Sequence, residues 1–135
     1  MATQEEITTF LAKDFPQARC VVDAVGARRA MVSLEVGVAD LRPGGTVSGP
    51  VLMEVADIAL YIALLGEIGI VPLAVTTSLT INFLRKPTAG KRIVGECKLL
   101  KVGKSLVIGE VSIYSDGTTE PVAHAVGTYS IPPRP

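Results

Sequence analysis

The sequence predicts an α+β chain in which one curled antiparallel sheet of about six strands wraps around a single long central helix. Three observations carry this. A stretch near the middle is apolar on nearly every side at helical spacing. Strand-like runs lie on both sides of it, two before and four after. At 135 residues, the chain is too short to cover such a helix with a further layer.

The elements follow in order. Gln4 to Phe15 has helical spacing through Ile7, Phe10 and Leu11, Thr3 with Glu6 reads as a capping box, and Pro16 ends the segment. Ala18 to Val25 and Arg29 to Val38 are strand-like, the second alternating cleanly, with a turn at Val25-Gly26-Ala27. Ala39 to Gly49 holds Pro43, Gly44, Gly45 and Gly49 and reads as a loop. Pro50 opens the central helix, which runs to about Gly66 or Ile70, some 25–30 Å at the helical rise. A helix apolar all round is a buried one. Leu73 to Leu84, Arg92 to Val102, Ser105 to Ser115 and Pro121 to Ile131 then read as four strands of a meander. The tail, Ile131 to Pro135, is expected to be a loose end. No repeat or linker divides the chain, so residues 1–135 are expected to form one domain. A sheet curled around one helix leaves an open side, which predicts a second copy of the chain as its cover.

Composition narrows the function. Thirteen basic and thirteen acidic residues cancel, which argues against a nucleic-acid partner. Glu54, Asp57, Glu67 and Pro72 interrupt the most apolar stretch, so no membrane span is expected. The N-terminus lacks the pattern of a signal peptide, and Cys20 and Cys97 read as reduced, buried thiols, so a cytoplasmic location is expected. With a lone His124 and no CxxC pair, neither a metal nor a cofactor is expected.

The chemistry then falls to the central helix. Glu54, Asp57 and Tyr61 are the exceptions on its greasy surface, and their spacing puts them on one stripe. A carboxylate in mid-helix must be paired, hydrogen-bonded or working. Asp57 is the deepest. Glu54 lies nearer the N-terminal end, where the helix dipole favours an anion. Ser48 and Gly49 precede Pro50, where free helix N–H groups can hold an oxyanion. On the strand after the helix, Thr76 or Thr77 offers a hydroxyl; alternation allows only one of them to face the site. There is no GxSxG motif and His124 sits within a strand, so a carboxylate, backbone dipoles and water are the available tools.

The stretch Arg42 to Asp57 (RPGGTVSGPVLMEVAD), Ala74 to Gly90 (AVTTSLTINFLRKPTAG), Val102-Gly103-Lys104 and Ala125 to Thr128 resembles the hotdog-fold thioesterases of the PaaI-like, phenylacetate-pathway type. The resemblance covers roughly residues 20–130. It implies the hotdog fold, a homodimer often assembled to a homotetramer, and acyl-CoA as substrate. It implies a site across the dimer interface, with Asp57 as nucleophile or general base. The Gly49 N–H would polarise the thioester carbonyl, and Thr76 of the partner subunit would position water. It offers Arg85, Lys86, Lys91, Lys101 and Lys104 as a basic cluster for CoA. Ser48 stands where many members have His, and Arg42 where many have Asn; Arg42 can meet an acidic acyl group or a CoA phosphate. Hydrolysis of an acyl-CoA is the leading expectation. The alternatives are a non-catalytic acyl-CoA binding or sensing protein, suggested by the missing His, and a hotdog dehydratase or hydratase, for which His124 is poorly placed.

Overall fold

The computed structural model describes residues 1–133. Helix α1 spans Gln4–Asp14, strand β1 Val21–Gly26, β2 Arg29–Leu34, helix α2 Gly49–Ile68, β3 Val75–Phe83, β4 Ile93–Val102, β5 Leu106–Ser115 and β6 Ala123–Ser130, with a short 3-10 turn at Val38–Asp40. The strands form one six-stranded sheet in the order β1-β2-β4-β5-β6-β3, antiparallel throughout. It curls around α2, the hotdog arrangement.

The expected four-strand meander is only partly present. Strands β4, β5 and β6 follow one another, but β3 pairs with β6 at the far edge, and β4 takes β2 as its other neighbour. Pairing Arg29–Leu34 with Lys98–Ile93 joins the strands before the helix to those after it, so α2 and β3 cross from one side of the sheet to the other.

Local chemistry explains the remaining differences in bounds. The capping box forms as expected: the Thr3 N–H donates to Glu6 Oε1 at 2.9 Å and the Glu6 N–H to Thr3 Oγ1 at 3.2 Å. Strand β1 begins at Val21 rather than Ala18, because Arg19 turns away to pair with Asp40 and Glu54. Strand β2 stops at Leu34, whose partner Ile93 is the first residue of β4. The hairpin turn falls on Ala27 and Arg28, which lie at φ 53° and 62°. Helix α2 starts one residue before Pro50, with Ser48 as N-cap, and continues through Gly66 to Ile68. The Ile131 N–H donates to the Ser105 carbonyl at 2.8 Å, so the tail is pinned at its start. Arg134 and Pro135, the end of the tail expected to be loose, lie outside the described residues.

The core is aliphatic. Val55, Ala59, Leu60, Ile62, Leu64 and Leu65 of α2 pack against Val32, Ile93, Val111 and Ile113 of the sheet, all essentially inaccessible. Each large side chain so buried contributes about 1.5–3 kcal/mol. Close approach of helix and sheet depends on missing side chains. Leu60 sits in a saddle between Gly109 and Gly127, which pair across β5 and β6; a Cβ at either would lie 2.6 or 2.5 Å from a Leu60 methyl.

The two sheet edges differ. On β1, the Gln4 amide of α1 donates to the carbonyls of Val22 at 2.7 Å and Asp23 at 3.3 Å. On β3, seven of nine residues are exposed, including Val75 and Phe83.

Candidate active site

Three elements converge on Asp57: the middle of α2, the start of β3 and the end of β6. Its carboxylate is half-buried. Its Oδ1 accepts the Thr76 hydroxyl at 2.5 Å and the Tyr129 phenol at 2.9 Å. The phenol also lies 3.1 Å from the Asp57 backbone carbonyl. Oδ2 has no hydrogen-bond partner among the described residues and is not a sealed-off atom. The two donors therefore fix the plane of the carboxylate and leave one oxygen for a ligand.

Tyr129 reaches Asp57 because alternation along β6 turns Ala123, Ala125, Gly127 and Tyr129 inward. Burial, and then the charge of Asp57, push its phenol well above the usual tyrosine range, so it remains a donor at neutral pH. Its ring stacks on Tyr61 with centroids 5.8 Å apart. The Tyr61 hydroxyl donates to the Pro72 carbonyl at 3.1 Å, tying α2 to the turn before β3. Asp57, Tyr61, Thr76 and Tyr129 border a hollow of about 320 Å³, whose other wall is built by Phe10, Asp14 and Phe15. Larger depressions lie on the outside of the sheet, at the β1–β2 hairpin, near the β4–β5 turn and beside Arg85, and none of these borders Asp57.

Thr76 thus meets Asp57 within one chain, whereas the resemblance implied a hydroxyl from the partner subunit. A β-bulge between Thr76 and Ser78 separates the two threonines, and Thr77 donates instead to the Thr128 carbonyl at 3.3 Å.

The other predicted positions lie elsewhere. Glu54, expected on the Asp57 stripe, is held by Arg19 through contacts of 3.1 and 2.9 Å. Arg19 also pairs with the buried Asp40 at 3.0 Å. The Gly37 N–H, 2.9 Å away, and then Arg19 hold the Asp40 carboxyl below its ordinary range. Asp40 in turn anchors the start of α2, because its carbonyl accepts the Ser48 N–H at 2.9 Å. Arg42 stands exposed on the following hairpin, closed by a Leu41–Val47 bridge.

Ser48 makes no side-chain cap hydrogen bond. The Gly49 N–H has no acceptor among the described residues. The Phe83 ring lies over Gly49, 3.2 Å from where a Cβ would stand. Asp57 lies eight positions after Gly49 on α2, about 12 Å along the axis.

The basic residues do not form one cluster. Arg85 pairs with Glu120 at 3.6 Å and donates to the Pro121 carbonyl. Lys86 borders the same shallow surface, and Lys91 lies just before β4. Lys101 and Lys104 lie at the other end of β4, a ten-residue strand or about 30 Å away. Among the described residues no group of His, Cys, Asp and Glu is arranged to hold a metal ion, and no helix is long and apolar enough to cross a membrane. Cys20 and Cys97 are free and buried, and burial pushes both thiols up to about 12.

A family model described as the thioesterase superfamily matches residues 44–122. The chain belongs to that superfamily. This thioesterase-superfamily chain is similar to a crystal structure from Silicibacter sp. TM1040, provisionally described as a thioesterase. The two are 38% identical with a TM-score of 0.90, over 97% of this chain and 92% of that one. The PaaI protein of the E. coli phenylacetic acid degradation operon shares the fold at 20% identity, with a TM-score of 0.77 over 94% of each chain. A hypothetical thioesterase from Streptococcus pneumoniae TIGR4, solved with coenzyme A, shares it at 16% identity, with a TM-score of 0.78 over 94% of this chain and 98% of that one. No curated protein matches the chain.

The sequence missed Tyr129 and the Arg19–Asp40–Glu54 network. Tyr129 was within reach: an inward strand position occupied by a tyrosine requires a partner for its hydroxyl. Nothing in the sequence links Arg19 to residues 21 and 35 positions away.

Proposed function

We propose that this chain hydrolyses an acyl-CoA thioester to free acid and CoA, in a site shared by two copies of the chain. The observation that carries the reading is the Asp57 carboxylate, which borders a hollow and is held at Oδ1 by Thr76 and Tyr129, with no hydrogen-bond partner at Oδ2 among the described residues.

Oδ2 can act in either of two ways. As a general base it takes a proton from water while the water oxygen attacks the thioester carbonyl. As a nucleophile it attacks the carbonyl itself, and water then cleaves the resulting anhydride. In both, the C–S bond breaks and CoA leaves as a thiolate that takes up a proton. Both build negative charge on the carbonyl oxygen, which requires a donor such as the Gly49 N–H.

Gly49 lies about 12 Å from Asp57 along one helix, too far to serve the same carbonyl. A second copy supports a solution. Two β3 edges pairing antiparallel about their middle, near Leu79, bring the Phe83 end of one strand against the Val75–Thr76 end of the other. Because Phe83 covers Gly49, that pairing carries one copy's Gly49 toward the other's Asp57. Ser48, lacking an imidazole, can still donate a hydrogen bond. Its presence favours, as the second reading, an acyl-CoA binding protein without turnover.

A thiol-release screen over short, long and aryl acyl-CoAs, run beside Asp57→Ala, tests the proposal. Release by the native chain and none by a folded variant is expected. Full activity in Asp57→Ala sinks the mechanism, and binding without release across the panel favours the second reading.

A further inference from the structure

The chain holds three Phe, three Tyr and no Trp. Four of these six aromatics, Phe10, Phe15, Tyr61 and Tyr129, border the hollow beside Asp57. Their rings touch in sequence. Phe10 and Phe15 lie 6.4 and 6.2 Å from Tyr61, Phe15 edge-on, and Tyr61 stacks on Tyr129. Tyr61 and Tyr129 belong to the buried core and Phe10 packs against it, so this aromatic edge of the core floors the hollow. Phe15, at 37% exposure, stands outermost on its rim.

Helix α1 supplies the outer wall, and its position is fixed independently of any ligand. The capping box closes one end, the Phe15 N–H donates to the Leu11 carbonyl at 2.9 Å at the other, and Gln4 ties the helix to β1. Asp14, next to Phe15 on the same rim, makes no ion pair among the described residues.

The geometry points to this hollow as an acyl-group subsite with α1 as its specificity wall, admitting uncharged short to medium acyl groups and disfavouring those that end in a carboxylate. The inference rests on the hydrolytic reading above and adds the substrate class. A thioester at the Asp57 carboxylate can lay its acyl carbon chain in this hollow, past Tyr61 toward Phe10 and Phe15, which line it. Ring edges there offer contact to CH groups. At about 320 Å³ the hollow stands at the small end of ligand sites, which suits a short acyl group rather than a long fatty one. An acyl chain ending in a carboxylate would meet Asp14 with Asp57 close behind, two like charges.

The test compares butyryl-, hexanoyl-, decanoyl- and glutaryl-CoA across native chain, Phe15→Ala, Phe15→Trp and Asp14→Asn, with melting temperatures recorded for each. Phe15→Ala is expected to raise the decanoyl-to-butyryl ratio of kcat/KM by about threefold or more, and Phe15→Trp to lower it by a similar factor. Opposite shifts from two changes at one position are not what general destabilisation produces. Asp14→Asn is expected to raise glutaryl-CoA hydrolysis relative to hexanoyl-CoA. If the native chain hydrolyses the panel and these ratios stay fixed in all variants, the subsite is wrong while the hydrolytic reading stands. If the native chain releases thiol from aryl or long acyl-CoAs but from none of these four, the assigned substrate class is wrong while the hydrolytic reading stands; if it releases none from the wider screen either, the hydrolytic reading fails. The subsite is then judged by tyrosine emission, which no Trp obscures: hexanoyl-CoA should change it more than CoA does, and less so in Phe15→Ala. Equal responses overturn the subsite as well.

Discussion

The Tyr129 phenol donates to Asp57 Oδ1 at 2.9 Å from a strand 72 residues away in sequence. Together with Thr76 it holds Oδ1 and leaves Oδ2 without a hydrogen-bond partner among the described residues. Tyr129→Phe keeps the ring stack on Tyr61 and removes only this donor. A hydrogen bond to a charged group contributes about 1.5–3 kcal/mol. The expected result is a fall in kcat of about tenfold or more with KM little changed. An unchanged kcat would show that Thr76 alone orients the acid.

The separation of Gly49 from Asp57 makes a prediction about mixtures. Asp57→Ala and a Gly49→Val variant should each be inactive alone. Exchanged together in equal amounts, they form hybrid dimers with one site that has both an intact Asp57 and an intact Gly49. About a quarter of all sites should then work, given random pairing. Steady-state thiol release after subunit exchange measures this, and no recovery would place the two groups in separate functions.

The saddle under Leu60 is a stability prediction. Gly127→Ala puts a methyl 2.5 Å from a Leu60 methyl that has nowhere to retreat, since Leu60 is 1% exposed. Such overpacking costs about 1–3 kcal/mol. Leu60→Val in the same chain should recover part of the loss, and urea denaturation of the four members of the cycle measures the coupling.

Ala27 carries a left-handed backbone at φ 53°, which costs a residue with a Cβ about 1 kcal/mol. Ala27→Gly should raise the melting temperature by a few degrees, net of the added freedom of the unfolded chain. A lower value would mean that the turn's strain is relieved elsewhere.

Asp40 gives the pH dependence. Its carboxyl is held below the ordinary range by the Gly37 N–H and Arg19. The stabilisation it provides is therefore fully present above the unfolded value of about 3.9 and is lost as pH falls through the lower, folded value. Asp40→Asn should flatten the acid limb of the stability curve. Denaturation midpoints at neutral pH and near pH 3 check the sign.

Much of this was legible in the sequence because it is written locally. The capping box at Thr3 and Glu6, the apolar circumference of α2 and the alternation in β2 each need only near neighbours. Asp57 stood out for the same reason, as an acid in an aliphatic helix. What depends on distant pairing was not legible. The seam of β2 against β4 replaced the simple meander. Glu54 had the same stripe as Asp57, and only the approach of Arg19 separates their environments. The five basic residues looked like one patch in sequence because β4 and its flanks are continuous in the chain, yet a strand's length keeps their two groups apart.

Gln4 has a consequence for assembly. With its amide on the carbonyls of Val22 and Asp23, it occupies two acceptors of β1. Blocked acceptors make an edge a poorer template for strand addition, so the two edges of this sheet are unequal, and the exposed β3 is the better one for recruiting a second chain. One glutamine on the first turn of a short helix thus biases the end at which the sheet can grow.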